Sequence, residues 1–419
     1  MSYNTCRMTK GVTGNMVIGI IGGGASGMCA ALAAAANENV QVLIFERQAR
    51  VGKKLLSTGN GRCNLTNRNI CLDRYHGDAA NFAESALAQF PVSNTLEWFS
   101  GLGLMTVEEP TGRVYPYSDH ANSVVDVLRF ALNKPNIQVK TGCEIMKVRK
   151  TKEGFVVTTQ EEEYFCHKVI VACGGLAGTK VGGSMAGYKL LKSMGHQVTR
   201  LRPSLVQLKS SWHGCVALKG VRANCRVQIL RDDEAVAESV GELQFTEYGL
   251  SGPVIFEVSR DVCQDPGKWM CRLDFLPDVS AQTLQEMLSG RRRMPIISED
   301  ILVGILHNRL GRVLVAAAGI AGQANANAVT DAEIEGLCRL IKGLEVQLTE
   351  PMGMDSAQVT AGGVITGEFD PNTMESRIVP GLYACGEVLD IDGDCGGYNL
   401  QWAWSSGTVA GRHAGEVLV

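Results

Sequence analysis

The stretch Met16–Arg47, MVIGIIGGGASGMCAALAAAANENVQVLIFER, decides the fold of this chain. It opens with an apolar, β-branched run of strand length, which ends in three glycines. A run of alanines that favours a helix follows, and then a second apolar run that ends at an acidic residue. Glycines alone are a weak signal. This order of strand, turn, helix and strand predicts a dinucleotide-binding βαβ unit in an α/β fold.

Each glycine of the turn has a physical role in this prediction. Gly22 allows the tight turn out of the strand, Gly24 lets the backbone approach a pyrophosphate, and Gly27 lets the helix pack closely on the sheet. We expect the pyrophosphate at the helix N-terminus, beside Ala25 and Ser26, because unpaired N–H groups and the positive end of the helix dipole favour an anion there.

The acidic residue after the second strand indicates which dinucleotide fits. The carboxylate of Glu46 is placed to accept hydrogen bonds from the adenosine ribose hydroxyls, and it would repel a phosphate at the ribose 2′ position. FAD or NAD therefore fits, and NADP does not. The alternative is a structural βαβ unit that binds no ligand.

Length, composition and charge limit the classes of protein that remain. A chain of 419 residues predicts two or three domains, and 45% hydrophobic with 20% charged residues is typical of a soluble globular protein. The net charge of −3 gives no electrostatic case for a nucleic-acid partner. We predict no membrane span and a cytoplasmic location, because residues 1–15 form a polar extension without the apolar middle of a signal peptide.

Cysteine usage argues against a metal centre. The chain has 14 cysteines but no CxxC pair, so a zinc ribbon, an iron–sulfur cluster and a thioredoxin-type dithiol lack support. We predict no metal site and interpret the scattered thiols as reduced core residues.

A loop rich in glycine, asparagine and cations, Val51–Asn67, follows the second strand. It should cross the carboxyl edge of the sheet, over the pyrophosphate and the redox ring, although a solvated basic turn is the alternative. Cys63 lies in its middle, where cations would lower the pKa of its thiol or where it packs as a core residue. The cofactor-binding candidates of this region are Arg47, Lys53, Lys54, Gly61, Arg62 and Asn64.

Further candidates come from the middle of the chain. Ile145 follows a strand at the position expected beside the adenine. A buried strand at Val169–Ala172 predicts the return of the chain to the same sheet, and Gly174 then forms a second glycine turn towards the cofactor. His196, after a helix that begins near Met185, is interpreted as structural.

Composition changes near Leu201, which indicates an insertion. Apolar runs at Val206–Leu208, Cys225–Leu230, Gly241–Phe245, Val254–Arg260 and Trp269–Phe275 predict a β unit, and helical patterns follow at Ser280–Asn308 and Asp331–Leu344. We predict an extension at 1–15, a cofactor-binding domain at 16–199 and 351–419, a β domain at 200–278 and a helical domain at 279–350.

The C-terminal region repeats the pattern of strand, glycine-rich loop and helix. The N-terminus of its helix suits the pyrimidine end of a flavin, where negative charge develops on reduction. We expect the N–H groups of Asn399 and Leu400 to face that ring and Asp392 to bind the ribityl chain. Acidic residues in the loop raise a calcium alternative, but the EF-hand spacing is absent. The remaining cofactor candidates of this region are Gly386, Glu387 and Gly397.

These stretches together resemble the BaiN-like flavoproteins, also labelled aminoacetone-oxidase-family FAD-binding enzymes. The matching segments span nearly the whole chain: GIIGGGASG (19–27), GKKLLSTGNGRCNLTN (52–67), FTEYGLSGP (245–253), VTAGGV (359–364), TMES (373–376) and GLYACGEVLDIDGDCGGYNLQWAWSSG (381–407). The resemblance implies a glutathione-reductase-like FAD-binding Rossmann domain with an inserted β-barrel-like domain and a helical domain. The chain departs from the family at Glu247, where a histidine is usual, and at Met185–Ala186.

The best-known activity in that family is NAD(P)H-dependent reduction of carbon–carbon double bonds conjugated to a steroid ketone, in 3-oxo bile-acid intermediates. The resemblance therefore implies an FAD-dependent oxidoreductase whose substrate is a small, hydrophobic, steroid-like enone. No second GxGxxG follows a strand, so NAD(P)H is expected to dock transiently. Cys63 and Tyr398 are the catalytic candidates near the ring. The alternatives are an amine oxidase that uses oxygen and a flavin-bound, RNA-associated or scaffold protein.

Overall fold

The computed structural model describes residues 16–265 and 267–416, so the predicted extension at 1–15 lies outside the described residues. Contacts divide the chain into two compact units. The nucleotide unit runs to Arg202 and resumes at Gln358, and the barrel unit comprises Pro203–Ala357. Each unit has its own cluster of buried apolar side chains.

A five-stranded parallel sheet forms the centre of the nucleotide unit. In spatial order its strands are Leu382–Ala384, Lys168–Val171, Met16–Ile21, Val40–Glu46 and Ile137–Thr141. The first strand of the chain lies in the middle, where Ile20 pairs with Ile44 on one side and with Ile170 on the other. The carboxyl ends of these strands therefore meet at one edge, which is where α/β sheets bind ligands.

Smaller sheets and helices surround this sheet. The antiparallel strands and short strands of the unit are Thr66–Asn67, Tyr75–His76, Thr106–Glu108, Arg113–Pro116, Lys147–Lys150, Phe155–Thr158, Glu163–Cys166, Val359–Ala361 and Asp392–Gly393. Its α-helices are Ala25–Ala34, Ala83–Gln89, Val92–Gly101, Ala121–Ala131, Ala186–Ser193 and Tyr398–Ala414. Segments of 3₁₀ helix lie at Leu55–Gly61, which is interrupted by a kink, and at Leu72–Arg74, Ala80–Phe82, Thr179–Val181, Thr366–Glu368 and Gly386–Val388.

Small residues let the first and last helices of the unit approach each other closely. A Cβ on Gly407 would overlap the carbonyl oxygen of Ser26, and a Cβ on Gly411 would overlap that of Ala30. The helix Ala25–Ala34 consists largely of alanine and other small residues and is almost wholly buried. This packing brings the C-terminal helix beside the first glycine turn, although the two are far apart in sequence.

The barrel unit contains a closed barrel of six strands. In spatial order they are Leu208–Ser210, Gly249–Ser251, Glu234–Thr246, Arg222–Arg231, Trp269–Asp274 and Leu344–Pro351, and the last pairs with the first. Buried and less buried residues alternate along Trp269–Asp274 and Leu344–Pro351, as expected where one face of a strand lines a core. The predicted α/β fold, with a Rossmann-type unit and an inserted barrel, is confirmed.

In sequence, the helices of the barrel unit alternate with its strands or follow them. The α-helices are Gly214–Ala217, Pro253–Gln264, Ala281–Arg291, Asn308–Ala317 and Asp331–Gly343, with 3₁₀ turns at Ser298–Asp300 and Ala326–Ala328. A capping box of Thr330 and Glu333 begins the helix Asp331–Gly343. Because the chain returns to the barrel at Leu344, the helices and the strands share one apolar cluster.

One local prediction for this unit was wrong. The run Val254–Arg260 is part of the helix Pro253–Gln264, whose buried residues Val254, Val258 and Val262 recur at helical spacing. The β-strands predicted at Cys225–Leu230 and Gly241–Phe245 are confirmed, and each is part of a longer strand of one hairpin, Arg222–Arg231 and Glu234–Thr246. Charged residues on the solvent-facing side interrupt the apolar pattern, so the sequence predicted strands that were too short.

Within the described part of the chain, no helix has both the length and the hydropathy that crossing a bilayer requires.

Candidate cofactor site

The three glycines of the first turn occupy different environments. Gly22 has φ of +110°, and a Cβ there would overlap the carbonyl oxygen of Ala172. A Cβ on Gly27 would overlap the carbonyl oxygen of Gly22. A Cβ on Gly24 would meet no atom within 4 Å. Packing therefore requires Gly22 and Gly27, whereas Gly24 borders an open space at the start of the helix.

The helix that starts at this space has no side-chain cap. Its first intrahelical bond runs from the N–H of Met28 to the carbonyl oxygen of Gly24. The N–H groups of Ala25, Ser26 and Gly27 consequently have no partner in the helix, and they carry the positive end of its dipole. This arrangement suits a pyrophosphate.

Glu46 lies beside the same turn. One of its carboxylate oxygens accepts a hydrogen bond from the N–H of Gly23 at 2.8 Å, and the other accepts one from Gln48 at 2.7 Å. The next side chain, Arg47, donates to the carbonyl oxygens of Gly182 and Gly183. The two side chains are thus fixed at the carboxyl edge of the sheet.

A cleft of about 860 Å³ opens beyond this edge, and both Arg47 and Ile145 line it. The segment that leads to Ile145 is held in place because the N–H of Cys143 donates to the carbonyl oxygen of Glu46. The cleft also contacts the first residues of the helix Ala186–Ser193. The location and size of the cleft suit the adenosine end of a dinucleotide.

The cations of the loop Val51–Asn67 are held by other protein groups. Lys53 donates to the amide oxygen of Gln48, and Lys54 forms an ion pair with Glu387 at 2.8 Å. Arg62 forms ion pairs with Asp119 and Glu109 and stacks on a tyrosine ring. The pair between Lys54 and Glu387 ties this loop to the C-terminal region.

Cys63 does not have the environment of a reactive thiol. Its side chain is fully buried, and burial raises the pKa of the thiol to about 12. The neighbouring Lys54 and Arg62 are engaged by carboxylates. The hypothesis that cations lower this pKa was wrong, because desolvation of the thiolate outweighs every attraction that acts on it. The structure places the thiol in the apolar core.

Two observations in the same loop suit a ligand. Asn60 and Gly61 have φ of 55° and 86°, which are left-handed conformations that bend the backbone sharply. Asn64 is buried, and among the described residues its side-chain oxygen has no hydrogen-bond partner. A buried acceptor without a partner costs free energy, so a donor from a bound molecule would stabilise it.

The loop and the C-terminal helix meet. Gly397 has φ of +100° and begins the helix Tyr398–Ala414, and a Cβ on it would lie 2.5 Å from the backbone of Thr66. The side chain of Asn67 donates to the carbonyl oxygen of Gly396 at 2.9 Å. The first N–H groups of this helix, including those of Asn399 and Leu400, have no intrahelical partner and no side-chain cap.

A buried polar network fixes the helix relative to the loop. Gln401 accepts a hydrogen bond from Thr66 at 2.6 Å and donates to Thr95 and Ser405. The indole of Trp404 donates to the carbonyl oxygen of Leu65 at 2.9 Å. Because every one of these bonds is buried, the N-terminus of the helix has little freedom to move relative to the loop.

The remaining candidates lie near the same edge. Gly386 donates its N–H to Ser406 and packs against the side chain of Ser26 in the first helix. A Cβ on Gly174 would meet no atom within 4 Å. Asp392 is buried in the short strand that pairs with Tyr75–His76. The N-terminal glycine turn and the C-terminal segment therefore lie at the same edge of the sheet.

Tyr398 is the second catalytic candidate. Its side chain is buried, its hydroxyl lies 3.5 Å from the carbonyl oxygen of Asn69, and its ring contacts that of Tyr75 edge to face. Burial raises the pKa of Tyr75 well above its usual value. The phenol of Tyr75 therefore stays protonated near neutral pH.

Some residues that form the site were missed at the level of sequence. Ser406 and Thr360 hold Gly386 and Glu387 in place by hydrogen bonds. The repeat of Gly407, Gly411 and Gly415 at four-residue spacing was a visible signal of a close helix crossing. No local sequence pattern indicated the hydrogen bonds of Ser406 and Thr360, because their partners are distant in sequence.

The residues present fit FAD. They supply an open space at Gly24, two uncapped helix N-termini, and a buried acceptor without a partner at Asn64. The topology of the parallel sheet and the groups at its carboxyl edge are those of an oxidoreductase with a Rossmann-type FAD-binding fold. The chain belongs to a particular family of that class: the family model described as the HI0933-like protein Rossmann domain matches residues 16–413.

Curated relatives are similar over nearly their whole length. The chain is 41% identical over 405 residues to a 3-dehydro-bile acid delta(4,6)-reductase of Clostridium scindens, which covers 95% of this chain and 99% of that protein. It is 34% identical over 394 residues to a ribosomal RNA dihydrouridine synthase of Escherichia coli, covering 92% and 95%. A solved 3-ketosteroid delta1-dehydrogenase of Sterolibacterium denitrificans is 13% identical with a TM-score of 0.49, covering 96% of this chain and 100% of that one.

Proposed function

We propose that this protein reduces a carbon–carbon double bond conjugated to a carbonyl group, with bound FAD as the hydride carrier and NAD(P)H as the donor. The proposed substrate is a 3-oxo bile-acid or steroid intermediate. The observation that carries the proposal is the 41% identity, over 95% of this chain, to a relative whose name denotes reduction of such double bonds.

The chemistry of the site supports this reaction class. FAD, when bound, supplies a hydride to the carbon β to the carbonyl. The uncapped N-terminus at Asn399 and Leu400 is suited to stabilise the negative charge on the reduced ring. Buried hydrogen bonds at Leu65 and Thr66 hold the loop Val51–Asn67 to the C-terminal helix, which favours a fixed orientation between ring and substrate.

The test separates the two halves of the reaction. Purified protein should show flavin absorption bands, and anaerobic mixing with NADH or NADPH should bleach them. Adding a 3-oxo-4,6-diene steroid should restore the bands and give a product with two more hydrogen atoms, detected by mass spectrometry. The proposal would be overturned if neither NADH nor NADPH bleaches the flavin, or if no dienone reoxidises it. Peroxide production from amines in air would instead favour an amine oxidase.

A second candidate function is reduction of uridine in ribosomal RNA. It is favoured by the 34% identity to the synthase of Escherichia coli, and uracil also contains a double bond conjugated to a carbonyl. The net charge of −3 provides no general attraction to RNA. The discriminating experiment offers the reduced protein a dienone and a ribosomal RNA transcript in parallel, and compares the rates at which the flavin bands return.

A further inference from the structure

A histidine and an aspartate form a hydrogen-bonded pair beside the start of the C-terminal helix. The strand Tyr75–His76 pairs antiparallel with Asp392–Gly393, so that His76 lies opposite Asp392. Nε2 of His76 is 2.7 Å from Oδ1 of Asp394. The side chain of His76 is 30% exposed, and within the described residues its Nδ1 makes no hydrogen bond. This nitrogen is therefore able to meet a bound molecule.

The pair is fixed to the helix N-terminus. The N–H of Gly393 donates to the side chain of Asn399 at 2.8 Å. The amide of Asn399 donates to the carbonyl oxygens of Gly393 at 2.6 Å and of Asp394 at 3.3 Å. The loop that carries Asp394 is thus held against the helix turn that is expected to face the reactive ring.

The proposed reduction requires a proton donor, and the other acids of this region are poorly suited. The thiol of Cys63 is fully buried and its pKa is raised to about 12 by burial. The phenols of Tyr75 and Tyr398 are also buried. An imidazole can carry a proton on each of its two ring nitrogens, so one nitrogen can be held by a carboxylate while the other donates a proton to a substrate.

We propose that His76 is the proton donor of this reaction and that Asp394 is its positioning residue; this inference rests on the proposed function. Hydride from the reduced flavin forms the new C–H bond at the β-carbon, and the π electrons of the alkene move to the carbonyl oxygen. The Nδ1–H of the His76 imidazolium then protonates the α-carbon, and the carbonyl group is restored. The flavin is oxidised, the alkene is reduced, and neutral His76 regains a proton from solvent.

The charges around the pair support this assignment. Arg74 donates to the second oxygen of Asp394 at 3.1 Å, and Asp392 lies opposite His76 on the neighbouring strand. Burial raises the pKa of Asp394, but the hydrogen bonds from His76 and Arg74 outweigh it and lower this pKa below its usual value. The carboxylate is therefore ionised at neutral pH, where its hydrogen bond to Nε2 holds the imidazole in one orientation.

The main test is His76→Gln, with His213→Gln at an exposed site of the barrel unit as the matched control. In His76→Gln, flavin content and the rate of bleaching by NAD(P)H should equal those of the wild type. Reoxidation by the dienone should slow about 100-fold, at the low end of the range for general acid catalysis. The control should not change either rate. Equal reoxidation rates in His76→Gln and wild type would overturn the assignment and leave the proposed function intact.

Two further measurements make the result decisive. Asp394→Asn should change the chemical shifts of the His76 imidazole in NMR spectra of the apoprotein, because the hydrogen bond at Nε2 is lost, and it should slow reoxidation by the dienone. In D₂O, wild type should deliver deuterium to one face of the α-carbon, whereas His76→Gln should lose that selectivity. Unchanged imidazole chemical shifts in Asp394→Asn, together with an unchanged product in His76→Gln, would contradict the role of the pair. A wild-type protein that reduces no enone would instead overturn the proposed function itself.

Discussion

Gly24 and Gly27 belong to the same glycine motif but have different roles. Gly27 is required by packing, because any side chain would overlap the carbonyl oxygen of Gly22. Gly24 has φ of −82° and ψ of −167°, which any residue adopts, and there is open space around it. The protein itself gives no steric reason for glycine at position 24, which is what we expect where a ligand approaches the backbone.

We therefore expect Gly24→Ala to keep the fold and lose cofactor. Its melting temperature as apoprotein should equal that of the wild type, and its dissociation constant for FAD should rise at least about tenfold, which corresponds to about 1.4 kcal/mol. Gly27→Ala is the matched comparison and should lower the stability of the apoprotein by about 2 kcal/mol. Circular dichroism and FAD titration measure the two effects. Unchanged FAD affinity in Gly24→Ala would contradict this account of the turn.

His196, interpreted as structural from the sequence, forms a buried hydrogen-bonded chain. Its Nδ1 is 2.7 Å from Glu368 and its Nε2 is 3.0 Å from the hydroxyl of Ser376. Since that hydroxyl oxygen already accepts hydrogen bonds from the N–H groups of Ile378 and Val379, its proton goes to Nε2. The imidazole is therefore neutral. Burial lowers its pKa, and the attraction to the carboxylate does not compensate.

This burial predicts a pH dependence of stability. The unfolded chain binds a proton at His196 below about pH 6.5, whereas the folded chain resists it, so the free energy of unfolding should fall as pH falls through that value. The slope from this group approaches about 1.4 kcal/mol per pH unit. Urea unfolding between about pH 5 and 7.5 measures it. The slope should diminish in His196→Phe and persist in His213→Gln, and an equal slope in all three proteins would contradict the prediction.

At the scale of elements, the crossing of the first and last helices positions both halves of the site. Gly407 and Gly411 leave no room for a side chain against Ser26 and Ala30, so the two backbones touch. Each helix brings an uncapped N-terminus to the sheet edge. The helix crossing therefore sets the separation between the two helix N-termini, where we expect the pyrophosphate and the flavin ring.

Widening this crossing should weaken both stability and FAD binding. We expect Gly411→Leu to lower the free energy of unfolding by about 3 kcal/mol, because the overlap with the carbonyl oxygen of Ala30 forces the helices apart. Gly336→Ala is the control: this glycine lies in the helix Asp331–Gly343, and a Cβ there meets only the end of a flexible side chain. That variant should gain about 0.5–1 kcal/mol. Denaturant unfolding and FAD content decide the outcome.

At the scale of the whole molecule, all cofactor candidates fall in the nucleotide unit. The fingerprint turn, the loop Val51–Asn67 and the C-terminal helix belong to it, and the barrel unit Pro203–Ala357 contributes none of them. Glu247, where the related family has a histidine, lies in the barrel unit and forms an exposed ion pair with Lys219. Such a pair contributes little to stability.

Hydrogen exchange of the apoprotein with and without FAD should show this division. We expect added FAD to protect amides in three segments, 22–27, 59–64 and 397–401, because each provides N–H groups or a rigid loop at the proposed site. At 100 times its dissociation constant FAD should also stabilise the folded state by about 2.7 kcal/mol. Amides of 203–357 should exchange at unchanged rates. Protection confined to the barrel unit would place the cofactor elsewhere.

The sequence by itself determined the features that depend on local pattern. The order of strand, Gly22 turn, alanine-rich helix and Glu46 predicted the Rossmann-type unit, because each step follows from backbone preferences of neighbouring residues. The composition change near Leu201 predicted an inserted β unit. Val254–Arg260 was mistaken for a strand because a short apolar run does not distinguish a buried helix from a strand.

Only the tertiary structure decided which distant residues meet. The burial of Cys63, the ion pair of Lys54 with Glu387 and the pair of His76 with Asp394 depend on contacts between segments far apart in sequence. A thiol between cations has the sequence pattern of a reactive group, yet desolvation in the folded core raised its pKa. Burial and contacts with distant residues determine the reactivity of a side chain, and both arise only when the chain folds.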